Sequence, residues 1–349
     1  MRVLAVNAGS SSIKLSVLDE DGGTLASESL PPDAPIEAFV VAAPDFGAVG
    51  HRIVHGGHLH RESALLDDTL ERDLGKLADL APLHNRRGLA RVEEVSRLLP
   101  GTPQVLCFDT AFHASLPDEA STYAVPWEWR ERLGVLRYGF HGLSHDWASR
   151  RCAELIGRPR AELRIVSCHL GSGASLAAVA RGRSVDTTMG MTPNEGLVMA
   201  TRSGSFGPGA VMWLLRDAGI GTDELEHTLE HESGLRGIAG TGDMRELLAR
   251  DDGQARLAVA VYLHRLRASI AAMAAAMEGL DALVFTGGVG EHAPVIRAEA
   301  CAGLGFLGIV LDTAANERAN VDALVGERVA VVTAREDLQI AAEVRRVLS

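Results

Sequence analysis

A short hairpin pattern occurs twice in this chain, and the repetition limits the folds open to it. Residues Val3–Asp19 read VLAVNAGSSSIKLSVLD. Leu4 and Val6 precede a Gly/Ser turn, and Ile13, Leu15 and Val17 follow it at period two, the pattern of a β-hairpin with Asn7 to Ser12 at its tip. The tip offers one amide, three hydroxyls (Ser10, Ser11, Ser12), glycine backbone that a ligand can approach, and Lys14 just beyond. Successive N–H groups in such a turn form a concave anion site. A Ser/Gly-rich tip can equally do no more than turn the chain, and the G-x-x-x-x-G-K-[ST] spacing does not fit here. Residues Arg164–Thr187 repeat the plan: Ile165 and Val166, then His169-Leu170-Gly171-Ser172-Gly173-Ala174-Ser175, then an apolar strand and an Arg181-Gly182 turn. Sliding one copy on the other puts Gly9 on Gly171 and Val17 on Val179. Two like hairpins predict two related α/β half-domains, each offering a phosphate-binding turn to a shared cleft.

Length agrees, since 349 residues suit about two domains at roughly 150 residues each. A net charge of −12 argues against non-specific nucleic-acid binding. Cys107, Cys152, Cys168 and Cys301 are scattered without C-x-x-C pairs, which reads as reduced, mostly buried thiols of a cytoplasmic protein. The start of the chain has no signal-peptide layout. No apolar run is expected to reach membrane-span length; the longest, Ala268 to Met277, ends at Glu278.

Along the chain, Gly50-His51-Arg52-Ile53-Val54-His55-Gly56-Gly57 brackets two apolar residues with polar ones. Such a segment is a solvated loop, or one packed face from which Arg52 clamps a carboxylate or phosphate. Asp67–Leu80 and Arg86–Leu99 have helical spacing. The apolar strand Val105–Phe108 ends on Asp109, a place for a metal- or proton-handling carboxylate or for a simple turn cap. Ser144 in YGFHGLSH reads as a helix cap. Asp186–Gly204 is aperiodic yet not polar enough for disorder, hence a functional loop, and Arg202 within it is a second candidate clamp. Helices are predicted at Gly209–Asp217, Thr222–Glu230 and Gln254–Glu278. The strand Asp281–Phe285 runs into a Gly-rich turn, Thr286–Glu291, and a helix Pro294–Leu304, a nucleotide-site layout. Val329–Val332 is a last strand and Glu336 opens a closing helix.

Together the segments VNAGSSSIK, GHRIVHGG, APLHN, FDTAFH, RYGFHGLSH, CHLGSG, TRSG, FTGGVGE and the terminal ED-L-QIA resemble the acetate kinase family, within the acetate and sugar kinase/actin superfamily. The resemblance spans nearly the whole chain. It implies two actin-like (ribonuclease H-like) half-domains with an interdomain cleft, one formed by residues 1–113 and 335–349, the other by 114–334. It implies reversible phosphoryl transfer from ATP to acetate, a Mg²⁺ or Mn²⁺ cofactor, a cytoplasmic homodimer, and no nucleic-acid or membrane partner. By the same resemblance Arg52, Asp109, His141 and Arg202 are catalytic, and Val54, Leu83 and Pro193 line the acyl pocket. Asn7 and Glu336 would serve the metal, with Ser10, Ser12 and Lys14 near the phosphates. His169, Gly171, Ser172, Gly173, Asp243, Arg245, Gly288, Val289, Gly290 and Glu291 would contact the nucleotide. A propionate or butyrate kinase and a catalytically degenerate nucleotide-binding member are the alternatives. Ser172, Asn194, Ser205-Phe206-Gly207 and His292 depart from the family pattern, and the stretch between Lys14 and Gly50 is short for it.

Overall fold

A computed structural model describes residues 1–9, 12–73, 82–319 and 322–349, the side chains of 82–84 excepted. The chain divides into two units. The first comprises Met1–Ala114, Phe140–Trp147 and Arg335–Ser349. Its six-stranded sheet contains β1 (Val3–Ala8), β2 (Ile13–Leu18), β3 (Thr24–Leu30), β4 (Ala48–Ile53), β5 (Ala64–Leu65) and β6 (Gln104–Phe108), in the order β3-β2-β1-β4-β6-β5. β1, β4 and β6 are parallel, and the flanking pairs are antiparallel. The predicted hairpin is β1–β2, with Gly9 N–H donating to the Ser12 carbonyl at 2.9 Å.

β2 differs from its reading as an alternating strand. Only Lys14 is exposed, because its remaining polar residue, Ser16, is small enough to be buried in the sheet. Both faces of the sheet are covered, as a mainly parallel sheet requires. On one face Val3, Ala5, Ala48, Val105 and Cys107 meet Ile340, Ala341 and Val344 of the helix Glu336–Leu348. On the other, Leu4, Val6, Leu15 and Val17 meet Ile36, Phe39, Val40 and Val95, carried by and around the helices Glu37–Ala42 and Pro82–Leu98. Gly50 is needed for the first contact: a Cβ there would lie 2.4 Å from Ile340 and 2.6 Å from Val344. Of the helix expected over 67–80, residues 68–73 are helical and 74–80 lie outside the described residues.

The second unit comprises Ser115–Gly139 and Ala148–Ala334. Its strands are β7 (Arg164–Leu170), β8 (Ala174–Ala180), β9 (Arg183–Thr187), β10 (Ala282–Thr286), β11 (Ala323–Gly326) and β12 (Val329–Val331). Their order, β11-β12-β10-β7-β8-β9, repeats the first sheet strand for strand, with β7, β10 and β12 parallel and the flanking pairs antiparallel. The hairpin repeat thus extends to the whole sheet.

Two expectations change in this unit. The run Gly287–His292 is itself helical, and a second helix follows at Pro294–Ala302, so the Gly-rich segment is not an open turn. The helix Gly253–Ala276 is long and apolar enough, by length and composition alone, to cross a membrane, contrary to the sequence expectation. Its buried Ala255, Ala258, Tyr262, Leu266, Ile270 and Met273 form a helical stripe, and it packs on β7 and β8.

Candidate active site

In the first unit, three parallel strands bring polar residues to one edge of the sheet, at the carboxyl ends where open α/β sheets hold ligands. Asn7 stands at the end of β1, Arg52 at the end of β4, and Asp109 just past β6. Arg52 donates to Asp109 Oδ2 through Nε at 3.0 Å and Nη2 at 2.5 Å, and to Asn7 Oδ1 through Nη1 at 3.3 Å. Asn7 Nδ2 in turn donates to Glu336 Oε2 at 2.5 Å, from the first residue of the C-terminal helix. Asp109 is 1% exposed and the Arg52 side chain 12%. Burial works against the Arg52 charge, but Asp109 and Glu336 more than reverse it and raise its pKa above the ordinary value. Burial pushes the Asp109 carboxyl up, with Arg52 opposing. Among the described residues Asp109 Oδ1 meets no group in hydrogen-bond geometry, and the nearby His141 backbone N–H works with Arg52 to hold the carboxyl down.

His141 adjoins this network through the backbone. Its φ of 56° is left-handed, unusual for a residue with a Cβ and a mark of a conformation imposed from outside. The next residue is tied to the same strand end. Gly142 N–H donates to the Asp109 carbonyl at 2.9 Å, and a Cβ on Gly142 would lie 2.2 Å from that oxygen. Phe140, buried, has its ring edge-on to His55 at 5.3 Å, and its carbonyl accepts from His113 Nε2 at 3.0 Å. Val54 is buried directly beyond β4. Ser12 is half-buried at the hairpin tip, and Lys14 is exposed. Ser10 lies outside the described residues, and Leu83 lies in the helix Pro82–Leu98 with its side chain outside them.

In the second unit, the corresponding sheet edge carries backbone rather than charge. His169 is near the end of β7, and the turn after it closes by Gly171 N–H donating to the Gly173 carbonyl at 2.9 Å. The Ser172 carbonyl accepts from Ala200 N–H at 3.1 Å, which ties this turn to the segment bearing Arg202. Arg202 donates through Nη1 to the Pro193 carbonyl at 2.8 Å; burial lowers its pKa and Glu230 opposes the shift. Gly287, at φ 78°, passes so close to β7 that a Cβ would lie 2.9 Å from the Leu170 carbonyl. Gly288, Val289 and Gly290 follow in the short helix. Glu291 folds back, its Oε1 accepting from Gly287 N–H at 2.9 Å and Ala334 N–H at 3.0 Å. Asp243 and Arg245 form a separate exposed pair, Nη2 to Oδ2 at 2.7 Å, in which Arg245 holds the Asp243 carboxyl down to about 2.

Some residues were missed by the sequence reading. Arg297 is wholly buried and donates to the carbonyls of Gly290, Glu291 and Asn316 and to Asn316 Oδ1, fixing the glycine-rich helix. Glu195 accepts from Arg137 Nη2 at 2.8 Å and from the Tyr123 hydroxyl. Arg137 and Phe140 belong to RYGFHG and were open to notice; nothing in the sequence singles out Tyr123 or Arg297.

The acetokinase family model matches residues 37–342. An acetate kinase of Synechococcus sp. is 49% identical over 315 residues, which cover 88% of this chain and 78% of that protein. The crystal structure of Porphyromonas gingivalis acetate kinase matches with a TM-score of 0.90 at 34% identity and 100% coverage of both chains. A propionate kinase from Francisella tularensis subsp. tularensis matches with a TM-score of 0.89 at 32% identity and 98% coverage of both. The two repeated sheets are therefore those of the actin-like two-domain fold that these structures share. The chain belongs to the acetokinase family.

Proposed function

We propose that the chain catalyses reversible phosphoryl transfer from ATP to acetate, giving acetyl phosphate and ADP. The observation that carries this is the bonded set Glu336–Asn7–Arg52–Asp109, a largely buried cation held among acceptors at the carboxyl edge of three parallel strands. Phosphoryl transfer asks for positioning and charge neutralisation more than covalent chemistry. Acetate is already ionised near neutral pH, so it attacks without a general base. Arg52, prevented from turning by Asp109 and Asn7, orients a carboxylate or phosphoryl oxygen bidentately. Arg202 and His141 meet the charge that spreads over the transferring group. The His169–Gly173 turn and the Gly287–Glu291 helix serve the nucleotide phosphates, with Asp243 and Arg245 on its far part. Val54, Leu83 and Pro193 bound the methyl group.

The donor set suits a hard divalent cation, Mg²⁺ or Mn²⁺. Asp109 Oδ1 is buried with no hydrogen-bond partner among the described residues, and Glu336 and Asn7 add oxygen atoms. Among the described residues no three His, Cys, Asp or Glu side chains gather as a metal cage. That fits an ion which keeps waters and takes substrate phosphates as ligands. When bound, it would neutralise phosphate charge.

We also propose a cytoplasmic homodimer. Each of the four cysteines is free and buried, as in a reducing compartment. The apolar helix Pro208–Arg216 has no buried residue, and Trp213 on it is 55% exposed, an apolar face that a second copy would cover. Trp213→Asp is expected to halve the mass measured by light scattering; an unchanged mass removes this helix from the interface.

A hydroxamate assay with ATP, Mg²⁺ and acetate, propionate or butyrate tests the activity. Product with acetate is expected, and no product with any of the three acids rejects the reading. Propionate as preferred acid is the second reading, favoured by the similarity to the Francisella tularensis enzyme. Apolar pockets separate acids one methylene apart by only about 1–3 kcal/mol, so some propionate use is expected either way.

A further inference from the structure

The loop between β9 and the helix Pro208–Arg216 carries both Pro193 and Arg202, and it has no ladder of its own to hold it. Its backbone is held by scattered backbone bonds and by side chains. Arg137 Nη1 donates to three consecutive carbonyls, Thr187 at 3.3 Å, Thr188 at 3.1 Å and Met189 at 3.1 Å. The Gly190 carbonyl accepts from the N–H groups of Tyr138 at 3.1 Å and Gly139 at 3.3 Å. Met191 N–H donates to the Tyr123 hydroxyl at 2.9 Å. Glu195 then closes the loop on the same two anchors: Oε1 accepts from Arg137 Nη2 at 2.8 Å and Oε2 from the Tyr123 hydroxyl. Arg137 also lies over the Tyr123 ring, 5.4 Å from its centroid.

The closure leaves no room. A Cβ on Gly190 would lie 1.8 Å from Glu195 Oε2 and 2.0 Å from the Tyr123 hydroxyl. Gly196 takes φ 102° directly after Glu195, where a Cβ would meet the Thr188 carbonyl at 2.6 Å. Inside the clamped stretch, between Met191 and Glu195, stand Pro193, whose carbonyl accepts from Arg202, and Asn194, whose Nδ2 donates to Glu230 Oε1 at 3.0 Å. A shift of Glu195 therefore moves Pro193, and with it the acceptor that aims the Arg202 guanidinium.

We propose that Arg137, Tyr123 and Glu195 are positioning residues that set where Pro193 and Arg202 stand, and thereby the chain length of the acid accepted. This rests on the roles given above to Pro193 and Arg202. Tyr123→Phe removes one hydroxyl and leaves the ring under Arg137; Glu195→Ala removes the closure, and Glu195→Gln restores an acceptor. The test measures KM and kcat for acetate and propionate, and KM for ATP, in the three variants. Tyr123→Phe and Glu195→Ala are expected to raise the acid KM about tenfold and to shift the acetate-to-propionate ratio of kcat/KM several-fold, because misplacement by about 1 Å costs up to ~10²-fold. The ATP KM is expected to stay within about twofold, and Glu195→Gln to recover part of the loss, since a charged bond is roughly twice as strong as a neutral one. An unchanged acid ratio, or an ATP KM that moves with the acid KM, overturns the selectivity role. Hydrogen exchange over residues 187–204 gives a second readout that needs no activity. Faster exchange in Tyr123→Phe is expected, and unchanged exchange overturns the anchoring even if wild-type protein phosphorylates neither acid, a result that would reject the proposed function separately.

Discussion

The two sheets have one topology and opposite chemistry. With Gly9 slid onto Gly171, Asn7 corresponds to His169. Arg52 stands beside Asn7, one residue past the ladder pair Val6–His51, and Thr286 is the ladder partner of His169. Arg52 is thus matched by Thr286, a buried residue whose hydroxyl has no partner among the described residues. Following the registers to β6 and β12 matches Asp109 with Ala334, which offers only its N–H, to Glu291. One half has turned the edge into a charged side-chain network, the other into glycine backbone fixed by Glu291 and Arg297. A fold of this kind presents a ready edge, and residue choice at three strand ends decides whether it handles charge by side chains or by amides.

The largest expected effect separates the two arginines. Arg52→Ala strands the Asp109 carboxylate, and breaking a buried pair costs about 3–5 kcal/mol. Turnover should fall by ~10³-fold or more, and Tm with it. Arg202→Ala should lose a similar ~10³-fold in turnover with ATP affinity and Tm nearly unchanged, because its hydrogen bond goes to a carbonyl. Near-normal turnover in the second variant, or equal destabilisation in both, breaks the contrast.

Acid should also tell the halves apart. Among the described residues every buried histidine, His51, His55, His113 and His145, belongs to the first unit. Burial lowers His51 and His113 to about 4 from 6.5. His51 Nε2 donates to Gln104 Oε1 and His113 Nε2 to a carbonyl, bonds that favour the charged ring, but burial outweighs them and favours the neutral one. The unfolded chain takes protons that the folded chain refuses, so stability is full above about pH 6.5 and declines as pH falls toward about 4. Hydrogen exchange at pH 5 should show β1, β4 and β6 opening before β7 and β10; the reverse order refutes the assignment.

Two smaller changes probe the backbone half. Gly287→Ala forces a Cβ against the Leu170 carbonyl at positive φ, a strain of about 1–3 kcal/mol, and should raise the ATP KM. An unaltered ATP KM would take the glycine-rich helix out of nucleotide binding. Thr286→Val removes the unpaired hydroxyl at constant shape and should leave Tm unchanged or slightly higher, within about 1 kcal/mol. A clear fall in Tm would mean that the hydroxyl has a role the equivalent Arg52 position does not predict.

Much of this was legible in the sequence because it rests on local pattern. The hairpins at Gly9 and Gly171, the strand ending at Asp109 and the helix opening at Glu336 follow from period and punctuation. Arg52 was legible as a clamp but not as a residue already clamped, since its partners Asn7 and Asp109 are distant in sequence. The helical state of Gly287–His292 was hidden because glycine is a poor helix former, and Glu291 and Arg297 override that propensity through long-range bonds. Tyr123 stayed invisible for the same reason: its task lies in what Met191 and Glu195 bring to it.

The bond from Asn7 to Glu336 joins residues 329 positions apart. During synthesis the amino-terminal strands leave the ribosome first, yet Glu336 and the helix covering Val3, Ala5 and Ala48 follow only after the whole second unit. The second unit can therefore mature on the nascent chain while the first still shows water an apolar sheet face. Chaperones guarding this protein would find their binding surface in the half that began to emerge first.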